Sequence, residues 1–194
     1  MIRRMLGATI LVATMGLGFG AQAANDFEPG LNKVLDENIG AWAADPAVIA
    51  AVKAQNAKNA ALDQAAIDTL DKQWRAEAKA GGGPMITEVT SNALSQFLAG
   101  KAKASDGLFL EIFVMDDKGL NVGQSSVTSD YWQGDEAKWQ KSFGAGPGGR
   151  LIDEVDFDDS AKAFVSQVSR TIVDPADGHA IGAVTVGVNV EKLP

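Results

Sequence analysis

E-I-F-V-M-D-D-K-G-L-N-V-G-Q-S, Glu111 to Ser125, is the stretch that decides the fold. A β-forming run, Leu108 to Met115, meets Asp116-Asp117-Lys118-Gly119, and a second run, Leu120 to Gln124, returns. Asp and Gly are turn residues, Gly because it takes positive φ without a steric penalty. The two runs therefore read as a β-hairpin, and Asp116 and Asp117 as its turn rather than as ligands.

Upstream of the hairpin the pattern is helical. From Ala24 to Lys103, Ala, Leu, Gln, Lys and Glu dominate, all good helix formers. Pro29 suits the first turn of a helix through Leu31, Val34, Leu35 and Ile39. Asp45-Pro46 starts another, Asp as N-cap and Pro at the first helical position, with Val48, Ile49 and Val52 as its apolar stripe. Ile67, Leu70 and Trp74 mark a third, which stops at Gly81-Gly82-Gly83-Pro84. A short helix is expected from about Ser91 to Ala99.

Downstream, strands are expected over Arg150 to Phe157, Ala163 to Val173 and Ala180 to Val190. In the last, Val184, Val186, Val188 and Val190 share a face, and Gly182 and Gly187 mark close packing or a bulge. Helices first and strands second predict an α+β domain: an antiparallel sheet of about five strands, with the segment Asp45 to Ala80 packed on it.

Between the second and third strands lies D-Y-W-Q-G-D-E-A-K-W, Asp130 to Trp139. The chain has one Tyr and four Trp, and three of these five rings fall in these ten residues. Trp132, Asp135, Glu136 and Trp139 are spaced i, i+3, i+4, i+7 and would share one face of a helix. Indoles flanking a carboxylate suit an amine-bearing ligand through cation–π contact and charge pairing; the alternative is that the rings are core and the acids a solvated rim. The expected ligand-binding set is Tyr131, Trp132, Asp135, Trp139, Ser126 and Arg170. Ser126 would supply a hydroxyl and Arg170 would grip a ligand carboxylate or pair with Asp135. Arg150 reads as a surface residue, the Asp153–Asp159 acids as a solvated strand end, and Gly144 to Gly149 as a flexible loop.

Met1 to Ala23 has the form of an export signal: Arg3 and Arg4, an apolar stretch from Leu6 to Phe19, and Ala21-Gln22-Ala23 for cleavage. The mature chain is then expected to begin at Ala24, with a helical segment over 24–105 and a sheet segment over 106–194. The formal charge of −8 argues against nucleic acid and anionic membrane surfaces as partners. With no Cys and one His, the chain has no disulfide, no thiolate chemistry and no two-histidine metal site. No G-x-S-x-G or P-loop motif occurs, so an enzyme is not expected, and neither a cofactor nor a metal.

The order of these pieces resembles a single Cache (PAS-like) sensor domain of the bacterial periplasm. Glu111 to Ser125, Asp130 to Trp139 and the closing S-Q-V-S-R-T-I-V-D-P-A-D-G-H-A-I-G-A-V-T-V-G-V, Ser166 to Val188, carry the resemblance. It implies N-terminal helices on a PAS-like sheet and a small-molecule ligand. Such domains commonly sit between membrane spans with a cytoplasmic signalling module beyond them; here the sequence stops at Pro194, directly after the last strand. A periplasmic module binding an amine or amino acid, and acting with a separate membrane receptor, is the expectation. The alternative is a structural or interaction protein with the same fold and a filled core.

Overall fold

The computed structural model describes the backbone of residues 20–194 and the side chains of residues 26–194. The expected signal peptide lies outside the described residues, apart from helical backbone at its end. Helix α1 (Gly20–Lys33) runs through a π-helical turn, Val34–Ile39, into α2 (Gly40–Ala43). In that turn the Gly40 N–H bonds to the Leu35 carbonyl, five residues back, and the apolar stripe continues without a break. Leu31, Val34, Leu35, Ile39, Trp42 and Ala43 are all buried.

Asp45 caps α3 (Pro46–Asn59) as expected, accepting from the Ala47 N–H at 2.8 Å, and Asp63 caps α4 (Gln64–Lys79), accepting from the Ala66 N–H at 2.9 Å. Each such cap contributes about 1 kcal/mol. Gly81 has φ +84°, the left-handed residue that ends α4. Two helices then form where one was expected: α5 (Pro84–Ser91) and α6 (Ala93–Ala104), divided by Asn92, whose side chain accepts from the Ser95 N–H. The Gly-Gly-Gly-Pro stretch is thus a stop and a start at once, with Pro84 at the first position of α5.

The strands are β1 (Phe109–Met115), β2 (Asn121–Gln124), β3 (Arg150–Ile152), β4 (Asp156–Asp158), β5 (Ala163–Val173) and β6 (Ala180–Asn189). Every pairing is antiparallel and the order is β2-β1-β6-β5-β3, with β4 also on β5. Six strands form where about five were expected, because Arg150 to Phe157 is two short strands that pair successively with β5. The β1–β2 hairpin turns as expected: Gly119 has φ +83°, and Asp116 accepts from the N–H groups of Lys118 and Leu120.

One face of the sheet carries Ile112, Val114, Val122, Val168, Ile172, Val184, Val186 and Val188 against α1–α3 and α6. Helix α4 is the exception to the expected packing. Its Ile67 and Trp74 join Ile86 and Val89 of α5 with Leu120 and Tyr131 in a second core beside β2. The outer edge of β2 is consequently covered, with Asn92 Nδ2 donating to the Val122 carbonyl at 2.8 Å and Asn121 N–H to the Tyr131 carbonyl at 3.0 Å.

Both β6 glycines mark close approach. A Cβ at Gly182 would run into the Met115 carbonyl oxygen and stand 3.0 Å from Val52 Cγ1. Gly182→Ala is therefore expected to destabilise by about 1–3 kcal/mol through overpacking at the α3–sheet contact. A urea midpoint equal to that of the wild type would show that this contact gives way freely.

Candidate functional site

On the sheet face turned away from the helices, three cross-strand rows run from β1 over β6 to β5. They are Glu111–Gly187–Gln167, Phe113–Thr185–Ser169 and Met115–Ala183–Thr171. The last two rows are covered: Trp139 and Phe143, their rings 4.9 Å apart, pack on Phe113, Met115 and Ala183. The first row is not, and there the face opens into a cavity of about 100 Å³.

Glu111 reaches across the sheet because Gly187 lies under it. A Cβ at Gly187 would stand 2.9 Å from Glu111 Cγ, and Gln167 Nε2, one strand further on, donates to Glu111 Oε1 at 3.2 Å. Phe113 completes the floor. The wall is the segment after β2: Thr128, Ser129, Asp130 and Gln133, with Lys138 from the short helix α7 (Ala137–Gln140). The Lys138 ammonium stands 5.4 Å over the Phe113 ring, 2.8 Å from Glu136 Oε2 and 3.2 Å from Gln133 Oε1. Burial pushes the Glu111 carboxyl up from its ordinary range; Asp158 and Glu136 push the same way, and Lys138 and the Gln167 hydrogen bond oppose them.

The wall is held from behind. Asp71 of α4 accepts the backbone N–H groups of Tyr131 and Trp132 at 2.9 and 3.1 Å, and Arg75 bridges Asp71 and Asp130. Trp74 Nε1 donates to the Thr128 carbonyl at 2.9 Å. One hydrogen bond behind Thr128 lie buried Asn121 and Gln124; among the described residues Asn121 Oδ1 and Gln124 Nε2 have no partner. Beyond Gln167 the face continues into an open cleft of about 310 Å³ lined by Asp153, Glu154, Asp156, Phe157 and Asp158.

The residues singled out in the sequence are not brought together at this cavity. Tyr131 is buried with its ring stacked on Trp74 at 5.4 Å, and burial raises its phenol pKa. Trp132 and Trp139 are half-buried, and their indole N–H groups are spent on the carbonyls of Lys118 and Asp116. The expected shared helical face does not form, since α7 is one turn long and begins only at Ala137. Asp135 and Ser126 are exposed. Arg170 is on the helix side of the sheet, 3.4 Å from Asp36, so it is no partner for Asp135. Of the ten residues Asp130 to Trp139, it is Asp130, Gln133 and Lys138 that line the cavity. The sequence reading passed over Glu111, although it stands out as the single charged residue in β1, F-L-E-I-F-V-M. Gln167, whose meeting with Glu111 depends on strand pairing, was not legible.

No protein-family model matches the chain, and no curated protein does. Among solved structures, the sensor domain of the V. cholerae histidine kinase DctB is similar at 10% identity with a TM-score of 0.50, over 89% of this chain and 55% of that one. This chain thus spans about half the length of that domain. The sensory domain of the Campylobacter jejuni chemoreceptor Tlp3 aligns at 13% identity and a TM-score of 0.41, over 87% of this chain and 66% of its own. The E. coli DcuS sensor domain aligns at 17% and 0.39, over 65% and 92%. The likeness to the DctB domain shows the fold that the sequence resemblance implied, α+β with helices packed on a Cache/PAS-like antiparallel sheet. Among the described residues no helix is long and apolar enough to cross a membrane.

Proposed function

We propose that the protein is a small-molecule-binding sensory module of the periplasm, acting with a separate membrane receptor and without catalysis of its own. The observation that carries this reading is the cavity on the Glu111–Gly187–Gln167 row, where a carboxyl group in a desolvating environment meets amides, hydroxyls and an ammonium. Small-molecule sites are concave, with a few convergent polar groups and perturbed acids. Placement outside the cytoplasm rests on the export signal read at Met1 to Ala23. Tyr131, Trp132 and Trp139 serve the site by backing its wall.

A second reading has one observation in its favour: the rings expected to line a pocket are packed into cores, as in an interaction protein with the same fold. Thermal melting in the presence of amines, amino acids, small carboxylates and neutral polyols separates the two. A ligand at 100 times its Kd stabilises by about 2.7 kcal/mol, which is roughly 5–10 °C for a chain of this size. A shift of that size in at least one class is the expected result. Flat melting across every class would leave the interaction-protein reading.

A further inference from the structure

The charges around the cavity do not balance. Lys138 already faces Glu136 at 2.8 Å, and Arg75 is shared between Asp71 and Asp130. On the floor Glu111 has an amide, Gln167, as its hydrogen-bond donor, and Asp158 of β4 adds its charge to that side. Of the charged side chains, Glu111, Asp130 and Lys138 line the cavity itself, and Asp71, Arg75, Glu136 and Asp158 stand behind them, five acidic groups to two cations in all. The adjoining cleft, which shares Gln167, is acid-lined as well.

We propose that the cavity takes a small organic cation, a primary ammonium group set against Glu111 over the Phe113 ring. The inference rests on reading the cavity as a ligand site. An ammonium carries three donors, and the lining offers acceptor oxygens on Glu111, Gln167 and Thr128. Phe113 provides an apolar floor for a ligand methylene, beside the Lys138 ammonium that stands 5.4 Å from the ring centroid. A cavity of about 100 Å³ suits a small head group such as ethylammonium or ethanolamine. A carboxylate ligand would enter a field of its own sign and would have to draw Lys138 from Glu136, leaving a partly buried acid unpaired.

Proton linkage gives the proposal a second signature. Around Glu111 the titratable groups are Lys138 and Glu136 at the wall and Asp158 on β4, with Asp130 across the cavity. In the free protein burial holds the Glu111 proton to higher pH than in the unfolded chain. A bound ammonium favours the carboxylate, so binding expels that proton and affinity rises with pH through the free-state pKa.

The same shift fixes the folding control. Stability from protonated Glu111 is complete below the ordinary carboxyl pKa and is lost as pH rises through the raised folded value. Glu111→Gln keeps the shape without that loss, so it is expected to melt no lower than wild type at neutral pH.

The test is calorimetric titration of the full chain with ethylammonium, ethanolamine, ethanol and acetate across pH, in wild type and Glu111→Gln. Expected are binding of the two amines, proton release on binding at acidic pH, and a loss of roughly 10–100-fold in Glu111→Gln, the worth of a hydrogen bond to a charged group. Acetate or ethanol binding while the amines do not would overturn the amine assignment and keep the ligand site. Amine binding that ignores both pH and Glu111→Gln would also overturn it. No heat from any of the four compounds, with flat melting across the wider set of classes, would overturn the ligand site itself.

Discussion

Asp116→Ala is expected to lower the unfolding free energy by about 3–5 kcal/mol, because it strands several donors at once. The Asp116 carboxylate is fully buried at the hairpin turn. One oxygen accepts from the Lys118 and Leu120 N–H groups, both at 2.9 Å; the other accepts from Gln55 Nε2 at 3.0 Å and Asn59 Nδ2 at 2.8 Å, both on α3. The Leu120 and Asn59 donors are buried, and each unpaired buried donor costs about 1–3 kcal/mol. Asp116→Asn, which keeps one acceptor oxygen, is expected to fall between Ala and wild type. Chemical denaturation reads both; a loss under about 1 kcal/mol for Asp116→Ala would mean that the turn and α3 are not coupled through this side chain.

Trp74→Ala is the other large loss, about 3–5 kcal/mol for a deeply buried indole. Trp74 is 0% exposed, stacks on Tyr131 and holds the Thr128 carbonyl. Its removal empties the middle of the second core and releases the wall of the cavity, so ligand affinity is expected to fall along with melting. Trp74→Phe keeps a ring and drops the N–H, and should cost about 1 kcal/mol beyond the difference in ring size. Equal melting of Trp74→Ala and wild type would show that the second core contributes nothing to the fold.

Much of the architecture was legible because local signals and tertiary packing agree. Asp45-Pro46, the valines of β6 and the Asp-Gly turn each dictate one local geometry, and each is used. Gly182 and Gly187 were legible as places of close approach, though not what approaches them. The site was harder. Tyr131, Trp132 and Trp139 cluster in sequence because they close two cores, and aromatic residues do that work as readily as they line pockets. Helical spacing at Trp132, Asp135, Glu136 and Trp139 misled because Trp132 bridges antiparallel to Leu120: the Tyr131 carbonyl accepts from Asn121 N–H and Gln133 N–H goes to the Gly119 carbonyl. The segment is held extended there by a tertiary pairing, and the first helical turn waits until Ala137.

The stack of Tyr131 on Trp74 also gives the protein a built-in optical gauge. Tyr131 is the chain's one tyrosine, and its ring centre lies 5.4 Å from that of Trp74. At such separation an excited phenol hands its energy to the indole before it can emit. Native protein excited in the tyrosine band should therefore fluoresce as tryptophan alone. Trp132 follows Tyr131 directly and keeps taking its energy when α4 leaves, so the departure is read instead as loss of the near-ultraviolet circular dichroism of the stacked pair, timed separately from the melting of the sheet.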